Sequence, residues 1–143
     1  MKTVRVLRFM SRSEAAELAF GQELFNDRNH AADGNGTDSI GFCFALVNED
    51  DDSIYTAARR LSGIVSMEVC LVGHLKLNPE RFRQGYGWYA DHNLHKQVSM
   101  PEISGLRYRA DDFTDFKLYM PNPAAGPFVY SESWREPLPL VMP

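Results

Sequence analysis

Cysteine is scarce in this chain: Cys43 and Cys70 are the only two among 143 residues. Each lies in an apolar, strand-like stretch, Gly41-Phe42-Cys43-Phe44-Ala45 and Val69-Cys70-Leu71-Val72, where a thiol behaves as a small buried hydrophobe. That leaves no disulfide framework, and both thiols are expected to be reduced and largely buried. Histidine is equally sparse, at four residues. His92 and His95 share a helical spacing, but no second pair or Cys-x-x-Cys completes a zinc set, so no metal site is expected. No apolar run approaches the ~20 residues that span a bilayer. The opening Met1-Lys2-Thr3-Val4-Arg5-Val6-Leu7-Arg8 has charges inside its apolar stretch and does not read as a signal peptide. The reducing cytoplasm is the expected compartment. A basic surplus is missing too. The net charge is −4 and the pI about 5.5, which disfavours a general nucleic-acid or anionic-membrane binder. The sequence contains no Gly-x-Gly-x-x-Gly, no P-loop lysine and no Gly-x-Ser-x-Gly. Gly85-x-Gly87 is too short for a Rossmann-type nucleotide site.

What is present describes an ordinary globular chain. Apolar residues make up 44% and charged residues 24%, enough for a packed core and too much for disorder throughout. At this length one core can bury roughly 68% of the unfolded surface. A single domain over 1–136 is expected, followed by a tail over 137–143 in which Pro137, Pro139 and Pro143 block a ladder.

Partial alternation over 3–9 predicts an opening strand. Ser11 followed by Glu14 fits a capping box, so a helix should begin near residue 12, with Ala15, Leu18 and Ala19 on its apolar face. Residues 26–38, rich in Asn, Asp, Gly and His, read as a loop. A short, nearly continuous apolar run over 39–47 predicts a buried strand. The acidic break Asn48-Glu49-Asp50-Asp51-Asp52-Ser53 then caps a helix over 53–62, because negative charge is favoured at a helix N-terminus. Residues 64–77 alternate best and predict the clearest strand. A turn at 78–82, an aromatic–glycine segment at 85–92, and a short strand over 97–104 broken by Pro101 follow. Strand-like pieces come at 113–120 and around Val129, Tyr130 and Trp134. Five or six strands with two early helices, and no parallel βαβ rhythm, give an α+β fold.

The order of four short motifs carries a resemblance. Arg8-Phe9-Met10-Ser11 ends the first strand, Gly41-Phe42-Cys43-Phe44 opens the second, Gly63-Ile64-Val65-Ser66 opens the third, and Glu102 precedes Tyr108. Over roughly residues 4–120 this order resembles small mono-ADP-ribosyltransferase-fold proteins of bacteria and their phages. The resemblance implies a pair of small packed β-sheets with one or two early helices. It implies NAD as substrate and a host protein or nucleic acid as acceptor. It assigns Glu102 as the catalytic carboxylate, Arg8 to the phosphate or ribose, and a ring among Phe44, Tyr86 and Tyr89 to the nicotinamide. Ser11, Phe42 and Tyr55 complete the implied NAD pocket. A carboxylate there would stabilise the positive charge that builds on the sugar, and a guanidinium fork would hold the anionic side. The chain departs from the family in offering one acid in Ser99-Met100-Pro101-Glu102 and Ser39-Ile40-Gly41 in place of Ser-Thr-Ser.

The alternative is a non-enzymatic protein of phage or mobile-element type: an inhibitor or toxin–antitoxin partner that binds a host protein complex. There the acidic run 49–52 would meet a basic groove, or the aromatic segment 86–89 would form the interface. One observation separates the two readings. If Arg8 and Glu102 line one cleft beside the Phe42–Phe44 strand, NAD chemistry is supported; if they leave on opposite faces, binding is what remains.

Overall fold

The computed structural model describes residues 1–25, 41–50, 53–54, 56–57, 69–91 and 96–120, with only the backbone described for 88–91 and 96–99. The chain opens with β1 (Thr3–Met10) and turns directly into α1 (Arg12–Ala19). Next come β2 (Leu24–Phe25), β3 (Phe42–Leu46), β4 (Val69–Lys76) and β5 (Arg83–Asp91). The described part ends with β6 (Lys96–Gly105), β7 (Arg107–Tyr108), a 3-10 turn at Ala110–Asp112, and β8 (Phe113–Tyr119). Six strands form one antiparallel sheet in the order β5-β6-β3-β1-β4-β8, and β2 pairs with β7 in a small ribbon. The fold is α+β, mostly antiparallel sheet, with α1 and the helical residues 53–54 and 56–57 among the described residues.

Among the described residues there are two sheets sharing one core, very unequal in size: six strands and a two-stranded ribbon. The reason lies in β1. Val6 and Met10 are buried on one face, Leu7 and Phe9 on the other, so Val6-Leu7-Arg8-Phe9-Met10 is an apolar run interrupted only by Arg8. A strand buried on both faces belongs in the middle of a sheet. It takes β3 on one edge and β4 on the other, and the sheet grows outward from it. One face packs Phe42, Phe44, Leu71, Leu75, Ile103 and Leu118 against Ala15 and Leu18 of α1, Leu24 of β2 and Tyr108 of β7. The second face holds Leu7, Phe9, Ala45, Cys70 and Met100, covered in part by Ile54 and Ala57.

Several local expectations are met. Ser11 caps α1 by accepting a hydrogen bond from the Glu14 N–H at 3.1 Å. Asp50 Oδ1 accepts from the Ser53 N–H at 2.8 Å, and Ser53, Ile54, Thr56 and Ala57 are helical, as the acidic break predicts. Of the two cysteines, Cys70 is buried as expected, whereas Cys43 is only half-buried, short of the burial expected for both. Burial pushes the Cys70 thiol pKa up and keeps it protonated.

β6 corrects one expectation: Pro101 does not break it, and ten residues run through. The last β3–β6 pair is Ala45–Glu102. Among the described residues Pro101 has a ladder partner on one side only, Tyr86 of β5, and there a residue without an N–H is tolerated. The helix over 58–62, Ile64–Glu68 of the third strand, the Gly63–Ser66 motif, the loop 26–38, the last strand and the 137–143 tail lie outside the described residues.

Gly73 fixes how closely β4 and β8 approach. A Cβ there would sit 2.5 Å from Phe116 Cβ and 2.6 Å from the Asp115 carbonyl oxygen, so backbone would have to move. Gly73→Ala is expected to lower unfolding stability by ~1–3 kcal/mol, the usual cost of overpacking. Urea unfolding followed by tryptophan fluorescence measures it; an unchanged midpoint would contradict the β4–β8 register.

Candidate functional site

The densest polar constellation is built where β1 turns into α1. Arg8 lies two residues before the strand ends, on the face that carries Val6 and Met10. Apolar neighbours cover it, and its side chain is only 16% exposed. A guanidinium there must find partners. Nε donates to Glu14 Oε2 at 2.7 Å and Nη2 to Oε1 at 2.9 Å, a two-pronged pair. Nη1 donates to the Cys43 carbonyl at 3.0 Å. The Tyr108 hydroxyl donates to Glu14 Oε2 at 2.5 Å. The guanidinium carbon lies 5.1 Å from the Phe42 ring centre and 5.6 Å from that of Phe44, within cation–π range. Tyr108 stacks edge-on against both rings, at 4.9 and 5.0 Å.

Burial works against the Arg8 charge, but the hydrogen bonds and charge of Glu14 outweigh it, and its pKa is raised. Burial likewise lifts Tyr108 well above the ordinary phenol range, against the pull of Arg8. The triad is therefore a fixed arrangement of cation, anion and neutral hydroxyl. It also alters the expected capping box. The Glu14 carboxylate, which would reach back to the Ser11 N–H, is taken by Arg8 and Tyr108 instead.

Glu102 stands elsewhere. It pairs across the ladder with Ala45, and Ala45 with Leu7. Leu7, Ala45 and Met100 form the second face of the sheet, and alternation along β6 puts Glu102 on that face with Met100. Arg8, the next residue after Leu7, points the other way. Two strand spacings, roughly 10 Å, separate their backbones, and the sheet lies between their side chains. Glu102 is 1% exposed. Its carboxylate packs over Gly87 of β5, in the space a Cβ there would fill. The shared cleft expected for Arg8 and Glu102 is thus corrected: strand alternation sends them to opposite faces.

Of the other residues implied for an NAD pocket, Phe42 and Phe44 lie against Arg8 as packing rings, while Ser11 caps the helix that carries Glu14. Tyr86 lies on β5 beside Pro101 and is 55% exposed. Tyr89 is described only as β5 backbone, and Tyr55 lies outside the described residues. Three contributors were not singled out from sequence as site residues: Glu14, Tyr108 and Arg81. Glu14 has a sequence signal, since six residues separate it from Arg8 across a tight strand–helix corner. Arg81 has none. It donates to both Asp112 oxygens at 2.7 and 2.9 Å and to Glu23 at 3.1 Å, partners distant in sequence. Hydrogen bonding to Asp112 is the chief cause of its raised pKa.

A third cluster is exposed. His74 Nδ1 lies 2.9 Å from Asp115 Oδ1, and Nε2 lies 3.0 Å from both oxygens of Glu49. A neutral imidazole donates from one nitrogen only, so carboxylates on both sides select the imidazolium. Hydrogen bonds to Asp115 and then Glu49 raise the His74 pKa. Among the described residues no group of three or more His, Cys, Asp and Glu is arranged to hold a metal.

Two predictions follow from these clusters. Arg8→Ala strands a buried carboxylate and is expected to cost ~3–5 kcal/mol, whereas Tyr108→Phe removes one hydrogen bond to a charged group and costs ~1.5–3 kcal/mol. Guanidinium unfolding of both variants measures the order; Arg8→Ala proving the milder change would refute the triad. For His74 the folded pKa lies above the unfolded one. Its contribution is fully present below about pH 6.5 and is lost as pH rises through the raised folded value. Stability of the wild type relative to His74→Gln should therefore fall across that window; a constant difference would contradict the ion pairs.

Compared with protein-family models, with curated proteins and with solved structures, the chain matches none of them.

Proposed function

We propose that this protein acts by binding another protein and not by transferring ADP-ribose from NAD. The observation that carries this reading is the opposite facing of Arg8 and Glu102. NAD chemistry of the kind the motif order implies needs a cation for the anionic side of NAD and a carboxylate for the sugar in one cleft. Here each belongs to a different layer. Arg8 is occupied by Glu14, the Cys43 carbonyl and two rings. Glu102 is packed over Gly87 with 1% of its surface open.

A stoichiometric inhibitor or toxin–antitoxin-type partner, of the phage or mobile-element kind, needs only a stable scaffold that displays surfaces. The buried charge networks supply rigidity, and the acidic turn after β3 supplies a negative surface suited to a basic partner. Calorimetry with NAD up to millimolar concentration is expected to show no saturable heat, and a nicotinamide-release assay no turnover. Saturable NAD binding together with nicotinamide release that Glu102→Gln abolishes would replace this reading with the enzymatic one.

A further inference from the structure

The β2–β7 ribbon has two faces of opposite character. Leu24 and Tyr108, partners across the ladder, are buried and close the core beneath it. Phe25 and Arg107, the other pair, point outward; Phe25 is 66% exposed and the Arg107 side chain 54%. The chain stays extended through Arg109. The same register, carried one residue past the ladder, therefore sets Glu23 level with Arg109, both exposed on that outer side. The outer face is a square, with Phe25 beside Arg107 and Glu23 beside Arg109. Its charges are loosely matched within the chain. Glu23 Oε1 takes Arg81 at 3.1 Å, and Arg107 reaches the same oxygen only at 3.7 Å. The Arg109 N–H donates to Asp112, but its guanidinium enters none of the ion pairs among the described residues. Leu106, 42% exposed, precedes Arg107, and Phe20, 53% exposed, ends α1 in the same layer.

We propose that two copies of this chain pair face to face through the outer sides of their β2–β7 ribbons, about a two-fold axis that runs along the strands. Composition argues for a protein surface, because an aromatic ring beside arginine and leucine is the usual make-up of an interface centre. Charge argues for a copy of the same chain. Arg81 is matched by both Asp112 oxygens, which leaves Glu23 and the exposed Asp111 to balance Arg107 and Arg109. A neutral corner of mixed sign complements itself, whereas a nucleic acid or a strongly acidic segment would call for a basic surplus. Register selects the axis. A two-fold along the strands lays β2 of one copy over β7 of the other. Phe25 then meets Arg107 of the second copy, ring against guanidinium, and Glu23 meets Arg109 of the second copy. Each contact occurs twice, as an isologous interface requires. A two-fold across the strands would instead set Arg107 against Arg109 and Phe25 against Glu23, a repulsive arrangement.

Sedimentation velocity of the full chain tests this, from about 10 µM to about 1 mM, the span in which a small interface associates. The mass is expected to rise with concentration from 16.3 kDa toward twice that value. Phe25→Ser and Arg109→Glu should each weaken association roughly tenfold or more, with circular dichroism unchanged because both side chains are exposed. Tyr86→Ser, an exposed ring on β5, should associate as the wild type does. Glu23→Lys should also be monomeric, since it sets a cation against Arg109 of the second copy. An equal mixture of the Arg109→Glu and Glu23→Lys chains, each monomeric alone, should form dimers, because both pairs then bring opposite charges together. A chain that stays monomeric at 1 mM, a dimer indifferent to Phe25→Ser or Arg109→Glu, or a mixture that stays monomeric would each overturn the proposal. The NAD assays above bear on the functional reading alone, since none of these variants alters Arg8 or Glu102.

Discussion

A guanidinium placed two residues before the end of a central strand constrains much of this molecule. Arg8 is largely covered in the layer between sheet and helix, with 16% of its side chain exposed, so most of its charge has to be matched inside. Glu14 matches it from the first turn of α1, which fixes how the chain turns at Ser11 and how α1 lies on the sheet. Tyr108 joins through the shared carboxylate and brings β7, and with it β2, onto the same layer. The Cys43 carbonyl ties in β3. Replacing such a group with packed apolar residues is often neutral or better for stability, while removing one member is costly. The arrangement suits a fold that must hold one helix in one orientation over a sheet.

The second network serves the same layer from its other end. Arg81, in the turn before β5, clasps Asp112 of the 3-10 turn and Glu23 beside β2. The Arg109 N–H also donates to Asp112, at 2.9 Å. Buried and half-buried charges on the helix-bearing face are thus engaged in holding chain segments together. Glu102, on the other face, fills space that glycine leaves. Among the described residues the exposed large apolar side chains include Phe20, Phe25, Tyr86 and Leu106, and with the acidic turn they are surface that a partner can meet.

Local physics was legible in the sequence wherever neighbours along the chain decide the outcome. The Ser11 cap, the start of α1, the acid-capped turn at Asp50 and the strands at β1, β4 and β8 all follow from spacing, side-chain type and alternation. Pro101 was misleading because its cost depends on whether a second strand lies beside it, and that is a property of β3's length. The apolar run Val6-Leu7-Arg8-Phe9-Met10 suits a central strand, but which strands flank it, β3 and β4, is set by pairing between segments distant in sequence.

The candidate site shows the same division more sharply. The sequence by itself determined which chemical groups exist and in what order: Arg8 before Ser11, the Phe42 and Phe44 rings next, Glu102 late. It could not determine which of them meet, because side chains on a strand alternate in direction and one residue of register moves a group from one face to the other. Only the tertiary structure set Leu7, Ala45 and Glu102 in one row. That row turns Glu102 away from Arg8, and it leaves Arg8 to a glutamate that the sequence offered only as part of a helix cap.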